Sequence, residues 1–209
     1  MTHETPLSLS LLKMRAFVLS AIVVLVPSVA LGQDESPAAS EAVPAATDEV
    51  AVASGEATER LLASLPQQLA GVPIDPANVS VLSGEEIAQG SETLQQQYLA
   101  VEEATGVAIA DMALLNSYVQ TPEDDLVFLG ALLVPGADAA LARDVVVALA
   151  SEDGAGTTEE AELAGLEVTL FIEDGLAGAT TYMYPAGDIL WLVLGPEDAA
   201  AEALTYVSG

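Results

Sequence analysis

The chain has 209 residues, with 32 acidic side chains, four basic ones, one histidine and no cysteine, for a formal charge of −28 at pH 7. That balance excludes nucleic acid as a partner, because neutralising phosphates requires clustered Lys and Arg. It also disfavours anionic membrane surfaces, and the missing thiols exclude disulfide staples, redox pairs and Cys-ligated metals.

Residues 1–32 read as a secretory signal peptide. Lys13 and Arg15 supply the positive end, and Ala16 to Val26 is apolar apart from Ser20. Pro27 breaks any helix, and Ala30-Leu31-Gly32 presents small residues for cleavage before Gln33. Met14 is an alternative start to Met1, since Met14-Arg15 and the apolar run already form a compact signal. The competing reading is an uncleaved N-terminal anchor. Ala16 to Leu31 would span only about 24 Å as a helix, short of the ~30 Å hydrocarbon core. The expected location is therefore outside the cytoplasm, either secreted or in the periplasm or cell envelope. Cleavage removes Lys13, Arg15, Glu4 and His3. It leaves 31 acidic residues against Arg60 and Arg143, a formal charge of −29 over 177 residues. Self-repulsion at that charge favours a monomer.

Residues 33–58 are rich in Ala, Glu, Asp, Ser and Pro without basic or aromatic residues. Such a segment buries too little to offset its ordering entropy and reads as a disordered acidic spacer. Residues 59–209 read as a single α+β domain. Thr58 to Leu65 predicts a short helix stopped by Pro66, and Asn78 to Leu82 a strand. Ser83 with Glu86 is a capping-box pattern opening a helix. Gly90-Ser91 interrupts it, and a second helix runs from Ser91 to Thr105 and ends at Gly106. Gln95-Gln96-Gln97 on that helix reads as a polar face.

Ile109 to Gln120 and Leu126 to Val134 read as strands joined by Thr121-Pro122-Glu123-Asp124-Asp125. Asp138 caps a helix through Ala150, and Ser151 to Glu160 reads as a polar loop. Leu166, Val168, Leu170 and Ile172 alternate with polar residues as a half-buried strand. Gly178 to Tyr184 and Ile189 to Leu194 form a hairpin around Pro185-Ala186-Gly187-Asp188. Pro196 opens a last helix ending near Val207.

Four pairs of segments match in order: Leu69 to Val72 with Leu163 to Leu166, Ser117 to Val119 with Thr181 to Met183, Asp125 to Leu129 with Asp188 to Leu192, and Asp138 to Ala140 with Asp198 to Ala200. Read as a repeat, they imply two related strand-hairpin-helix halves. The expected fold is one antiparallel sheet with helices packed on one face. The element order also resembles ferredoxin-like topology, which carries no functional message.

Without Cys, Lys or His after residue 32, nucleophilic triads, Schiff-base chemistry and metal–histidine sites are unavailable. Carboxylate-only hydrolysis remains as an alternative, with Glu173 and Asp174 or Glu123 and Asp125 as the pair. A Ca²⁺-responsive module is a further alternative, because Glu123, Asp124, Asp125, Glu173 and Asp174 offer oxygen ligands. Glu152-Asp153-Gly154 has similar chemistry. None of these loops has EF-hand spacing, and acidic turns are ordinarily solvated. Tyr182 and Tyr184 share one side of a strand and are the candidate partner-binding aromatics, whereas Trp191, inside an apolar run, belongs to a core. No motif requires a cofactor. The expectation is a non-enzymatic binding or structural module whose partner is another envelope or extracellular protein.

Overall fold

The structure is a computed structural model that describes residues 47–152, 156–173 and 180–209. The signal sequence and residues 33–46 lie outside the described residues, as do Asp153, Gly154 and Asp174.

Helix α1 covers Thr47–Ser64, so it begins inside the stretch read as spacer. It buries Ala57 and Leu61, one turn apart, and leaves Leu62 largely exposed. Pro66 disfavours helical backbone at Leu65 and ends the helix. A tiny hairpin follows, β1 (Gln68–Leu69) and β2 (Val72–Pro73). Its two turn residues, Ala70 and Gly71, both have left-handed backbone, with φ of 51° and 69°. That geometry matches the right-handed twist of the flanking strands.

Strand β3 (Val79–Ser83) leads into α2 (Gly84–Ala88) through the predicted capping box. The Ser83 amide and hydroxyl donate to the Glu86 carboxylate, and the Glu86 amide donates back to the Ser83 hydroxyl. Helix α3 (Glu92–Thr105) is capped by Ser91 and ends at Gly106 with φ of 73°. Gln95 is more than a polar-face residue: its amide donates to the carbonyls of Ala88 and Gly90 and closes the turn between α2 and α3.

Strands β4 (Ala113–Gln120) and β5 (Leu126–Leu133) form the expected hairpin. Ile109–Asp111, expected within the strand, is a single 3-10 turn instead. Helix α4 (Ala139–Glu152) starts beside Asp138, whose carboxylate accepts from the Ala140 amide. The supposed polar loop that follows becomes strand β6 (Gly156–Leu163). Strands β7 (Leu166–Glu173), β8 (Thr180–Ala186) and β9 (Ile189–Leu194) then precede helix α5 (Glu197–Val207).

The main sheet has seven strands in the order β3-β4-β5-β9-β8-β7-β6, every neighbour antiparallel. The α+β class and the antiparallel sheet are as the sequence implied. The placement of the helices differs, for they cover both faces. Helices α1 and α5 pack on one face against Leu115, Leu129, Trp191 and Val193. Helices α2, α3 and α4 pack on the other against Leu114, Leu132, Leu190 and Leu192. The apolar runs of β5 and β9 already contained this answer. A central strand that is apolar at every position needs cover on both sides. Six alanines of α4 and α5 (Ala139, Ala142, Ala150, Ala199, Ala200 and Ala203) are buried at these contacts.

The strand order also departs from ferredoxin-like topology. The helical connection from β3 to β4 joins adjacent antiparallel strands, with no third strand between two parallel ones. The two matched halves keep their order of hairpin and helix, yet their matched residues lie on opposite faces. Val119 faces α1 and α5, while its counterpart Met183 faces α4. A two-fold rotation relating antiparallel halves of one sheet leaves each face where it was, so no such rotation relates them. What the halves share is local. Ala164 and Gly165, between β6 and β7, repeat the left-handed pair of Ala70 and Gly71.

Candidate functional site

The aromatic candidates are placed together, but inside. Tyr182 is buried in the core under α5, and Tyr184, opposite Trp191 across β8–β9, is partly buried against the same cluster. Burial pushes the Tyr182 hydroxyl up, and the carboxylates of Glu197 and Asp198 at the start of α5 add to it. These tyrosines are structural and present no exposed aromatic patch.

The acidic candidates are not assembled into one site. Glu123, Asp124 and Asp125 are all exposed in the β4–β5 turn. The turn is closed internally: the Thr121 amide donates to the Asp125 carbonyl, and the Asp124 amide to the Thr121 carbonyl. Gln120 donates to the Asp124 carboxylate, and Asp124 sits at φ of 73°. Glu173 ends β7, where partial burial pushes its carboxyl up. Its proposed partner Asp174 falls outside the described residues. Among the described residues, no three carboxylate or imidazole groups converge closely enough to hold a metal ion.

Two concavities are more informative. The first, of about 540 Å³, is lined by Glu56, Ala57, Arg60, Gly106, Val107, Ala108, Asp111, Leu133 and Pro135. Its wall carries a clamp. Arg60 of α1 donates two parallel hydrogen bonds of 2.6 Å to Asp188 in the β8–β9 turn. Asp188 also accepts from the Gly136 amide at 3.3 Å. Burial alone would push the Asp188 carboxyl up. The Arg60 hydrogen bonds, the Gly136 amide and the Arg60 charge outweigh it and hold the carboxyl below its usual range. The two carboxylates in this cleft, Glu56 and Asp111, are both exposed.

No known protein family matches this chain, and neither does any curated protein or solved structure.

The second concavity, of about 560 Å³, is lined by Leu62, Leu65, Pro66, Gln67, Ile74, Pro76, Val79 and Val81. It lies where the end of α1 meets β3. Strand β3 is the terminal strand of the main sheet, and β4 is its only strand neighbour among the described residues. Its sequence, Val79-Ser80-Val81-Leu82-Ser83, contains no charge. Val79 and Val81 turn into the groove, and Leu62, 47% exposed, forms part of its rim. On the outer side of β3 the Val79 amide donates to the Pro76 carbonyl and the Ser83 amide to the Glu86 carboxylate, which leaves the middle of the strand, at Val81, for pairing. An apolar groove beside such an edge can accept an extended segment whose alternate side chains fill it. Chain-order reading missed this site because its parts are distant in sequence. The available signal was a short, uncharged strand directly before a capping box.

Proposed function

We propose that this is an exported, non-enzymatic binding module that takes an extended segment of another envelope or extracellular protein in the apolar groove between α1 and β3, along the edge of the sheet. The observation that carries the reading is the coincidence of that edge with the apolar groove between α1 and β3. The groove supplies affinity by burying apolar side chains at every second position, and backbone pairing adds to it only at the middle of β3, because the Val79 and Ser83 amides are already bonded. Export follows from residues 1–32, and the acidity of the remaining chain rules against nucleic acid and anionic surfaces as alternatives. Exposed carboxylates in the first cleft and the internally bonded β4–β5 turn make hydrolysis and specific cation binding the weaker readings.

The test is a titration of the isotope-labelled full-length chain with a heptapeptide of alternating Val and Thr, followed by backbone amide resonances. The expected perturbations concentrate at Val79 to Ser83 and around Leu62. Replacing Leu62 by Gln removes an exposed apolar side chain from the rim and should weaken binding about threefold to tenfold, at ~0.8 kcal/mol per buried methylene. Perturbations confined to β6, or none at all, would refute the reading.

A further inference from the structure

Resting on that reading, we infer that the segment captured at β3 is cationic at both ends, an apolar strand flanked by Lys or Arg. Strand β3 is bounded at each end by carboxylates. Asp75 stands just before the 3-10 turn at Pro76–Asn78 that leads into it, and Glu85 and Glu86 follow its last residue, Ser83. All three are exposed. Asp75 and Glu86 are also fixed in place, the first by the Ala77 amide and the second by the Ser83 amide and hydroxyl. Neither basic residue of the domain neutralises them. Arg60 is held by Asp188, and Arg143 by its neighbour Asp144 on α4.

A five-residue strand spans about 16 Å, so a segment lying along β3 meets negative charge at both of its ends. The groove between them is apolar and offers nothing to a charged side chain. The matching ligand has apolar residues in the middle and one base at each end, five or so residues apart. The domain's charge adds a longer-ranged attraction for the same ligand and repels its acidic counterpart. A second copy of this chain is the opposite case, because pairing β3 with β3 would bring Asp75, Glu85 and Glu86 of each copy against those of the other.

Three heptapeptides test this on the full-length chain, sharing the core Thr-Val-Thr-Val-Thr and ending at both sides in Lys, Ser or Glu. The Lys peptide should bind at least about tenfold more tightly than the Ser peptide near 20 mM salt, and the gap should shrink below about threefold near 500 mM. The Glu peptide should be weakest. The double variant Asp75→Asn and Glu85→Gln keeps the acceptor for Ala77 and the Ser83–Glu86 box, and should reduce the Lys peptide's advantage over the Ser peptide at least about threefold near 20 mM salt, the remainder coming from Glu86 and the overall charge. If Lys and Ser peptides bind equally at β3, the cationic partner is wrong and the docking edge stands. If the double variant keeps the full preference, the end carboxylates are not its source and the inference fails. If no peptide perturbs β3, or the chain pairs with itself there, the docking edge fails and this inference with it.

Discussion

The two edges of the main sheet are built in opposite ways. Strand β6, at one end, is Gly156-Thr157-Thr158-Glu159-Glu160-Ala161-Glu162-Leu163, with three exposed carboxylates. A second strand approaching it would have to desolvate or confront those charges, the usual protection of an edge against stray pairing. Strand β3, at the other end, has no charge, is only five residues long and borders an apolar groove. The two ends of one sheet thus differ: one is lined with charge, while the other is short, uncharged and capped at both ends through the Val79 and Ser83 amides. The contrast teaches that an uncharged edge in an otherwise strongly charged protein is informative, because carboxylates to line it were plainly at hand.

The sharpest way to break the contrast is to disturb how β3 leaves the sheet. Gly84 follows β3 directly, and a Cβ there would come within 2.0 Å of the Ile109 carbonyl oxygen and 2.5 Å of the Ala110 carbonyl carbon. Both are backbone, so neither can move aside cheaply. Gly84→Ala should cost about 2–4 kcal/mol. Denaturant titration would measure the loss, and hydrogen exchange should place it at β3 and α2 while β6 and β7 keep their protection. A loss under about 0.5 kcal/mol would mean that this close approach does not hold the edge.

The reverse operation is to open the closed edge. Replacing Glu159 and Glu162 by Thr removes two charges from β6 while favouring strand backbone. Sedimentation should then show concentration-dependent association in the variant at about 150 mM salt, where charges more than ~8 Å apart are screened. A variant that stays monomeric would show that carboxylates are not what closes this edge.

Legibility in the sequence divides along the same line. The capping box at Ser83 and Glu86, the helix from Ser91 to Gly106 and the alternation from Leu166 to Ile172 were readable because each is local chemistry within one turn or one strand. Strand β6 read as a loop because an edge strand with one solvated face and protective glutamates looks polar throughout; only its pairing with β7 makes it a strand. The division of helices between two faces was implicit in Ile189 to Leu194, yet which helix takes which face is decided by packing. The groove was not legible, since Leu62 on α1, Ile74 in the link after β2 and Val81 on β3 are brought together only by the tertiary fold. The acidic turns drew attention because carboxylate clusters are visible in sequence, whereas solvation and internal hydrogen bonding are not.

Acid should separate the two sides with opposite signs. The Asp188 carboxyl is held low in the folded state. Its contribution is complete above the ordinary Asp range and is lost as pH falls through its lower folded value. Since Arg60 is 52% exposed, the clamp is worth no more than about 1 kcal/mol. It anchors α1, which carries Leu62 and Leu65 of the β3 groove. Glu173, on β7 beside β6, is pushed up, so its ionised form weakens the fold and its protonation as pH falls restores stability. Hydrogen exchange corrected for intrinsic rates should therefore show α1 losing protection below about pH 4 before β6–β7 does, and Asp188→Asn should remove the pH dependence at α1. Equal loss on both sides would show that global charge, and not these two groups, sets the acid response.

The smallest effect discriminates most finely. One strand in from each edge lies a buried hydroxyl: Ser117 on β4, 2% exposed, and Thr169 on β7, 3% exposed. Across from Thr169 the edge strand supplies Glu160, whose carboxylate accepts from the threonine hydroxyl at 2.9 Å. Across from Ser117 the edge strand supplies Val79, and among the described residues the serine oxygen has no hydrogen-bond partner. Removing a satisfied hydroxyl and removing an orphaned one should differ in sign. Thr169→Val should cost about 1 kcal/mol, whereas Ser117→Ala should be neutral or stabilise by up to about 1 kcal/mol, because an unpaired buried hydroxyl only loses solvation. Matched denaturant curves would resolve the pair. If Ser117→Ala destabilised as much as Thr169→Val, the hydroxyl would have a partner at the β3 edge, and the two edges would be less different than their strands imply.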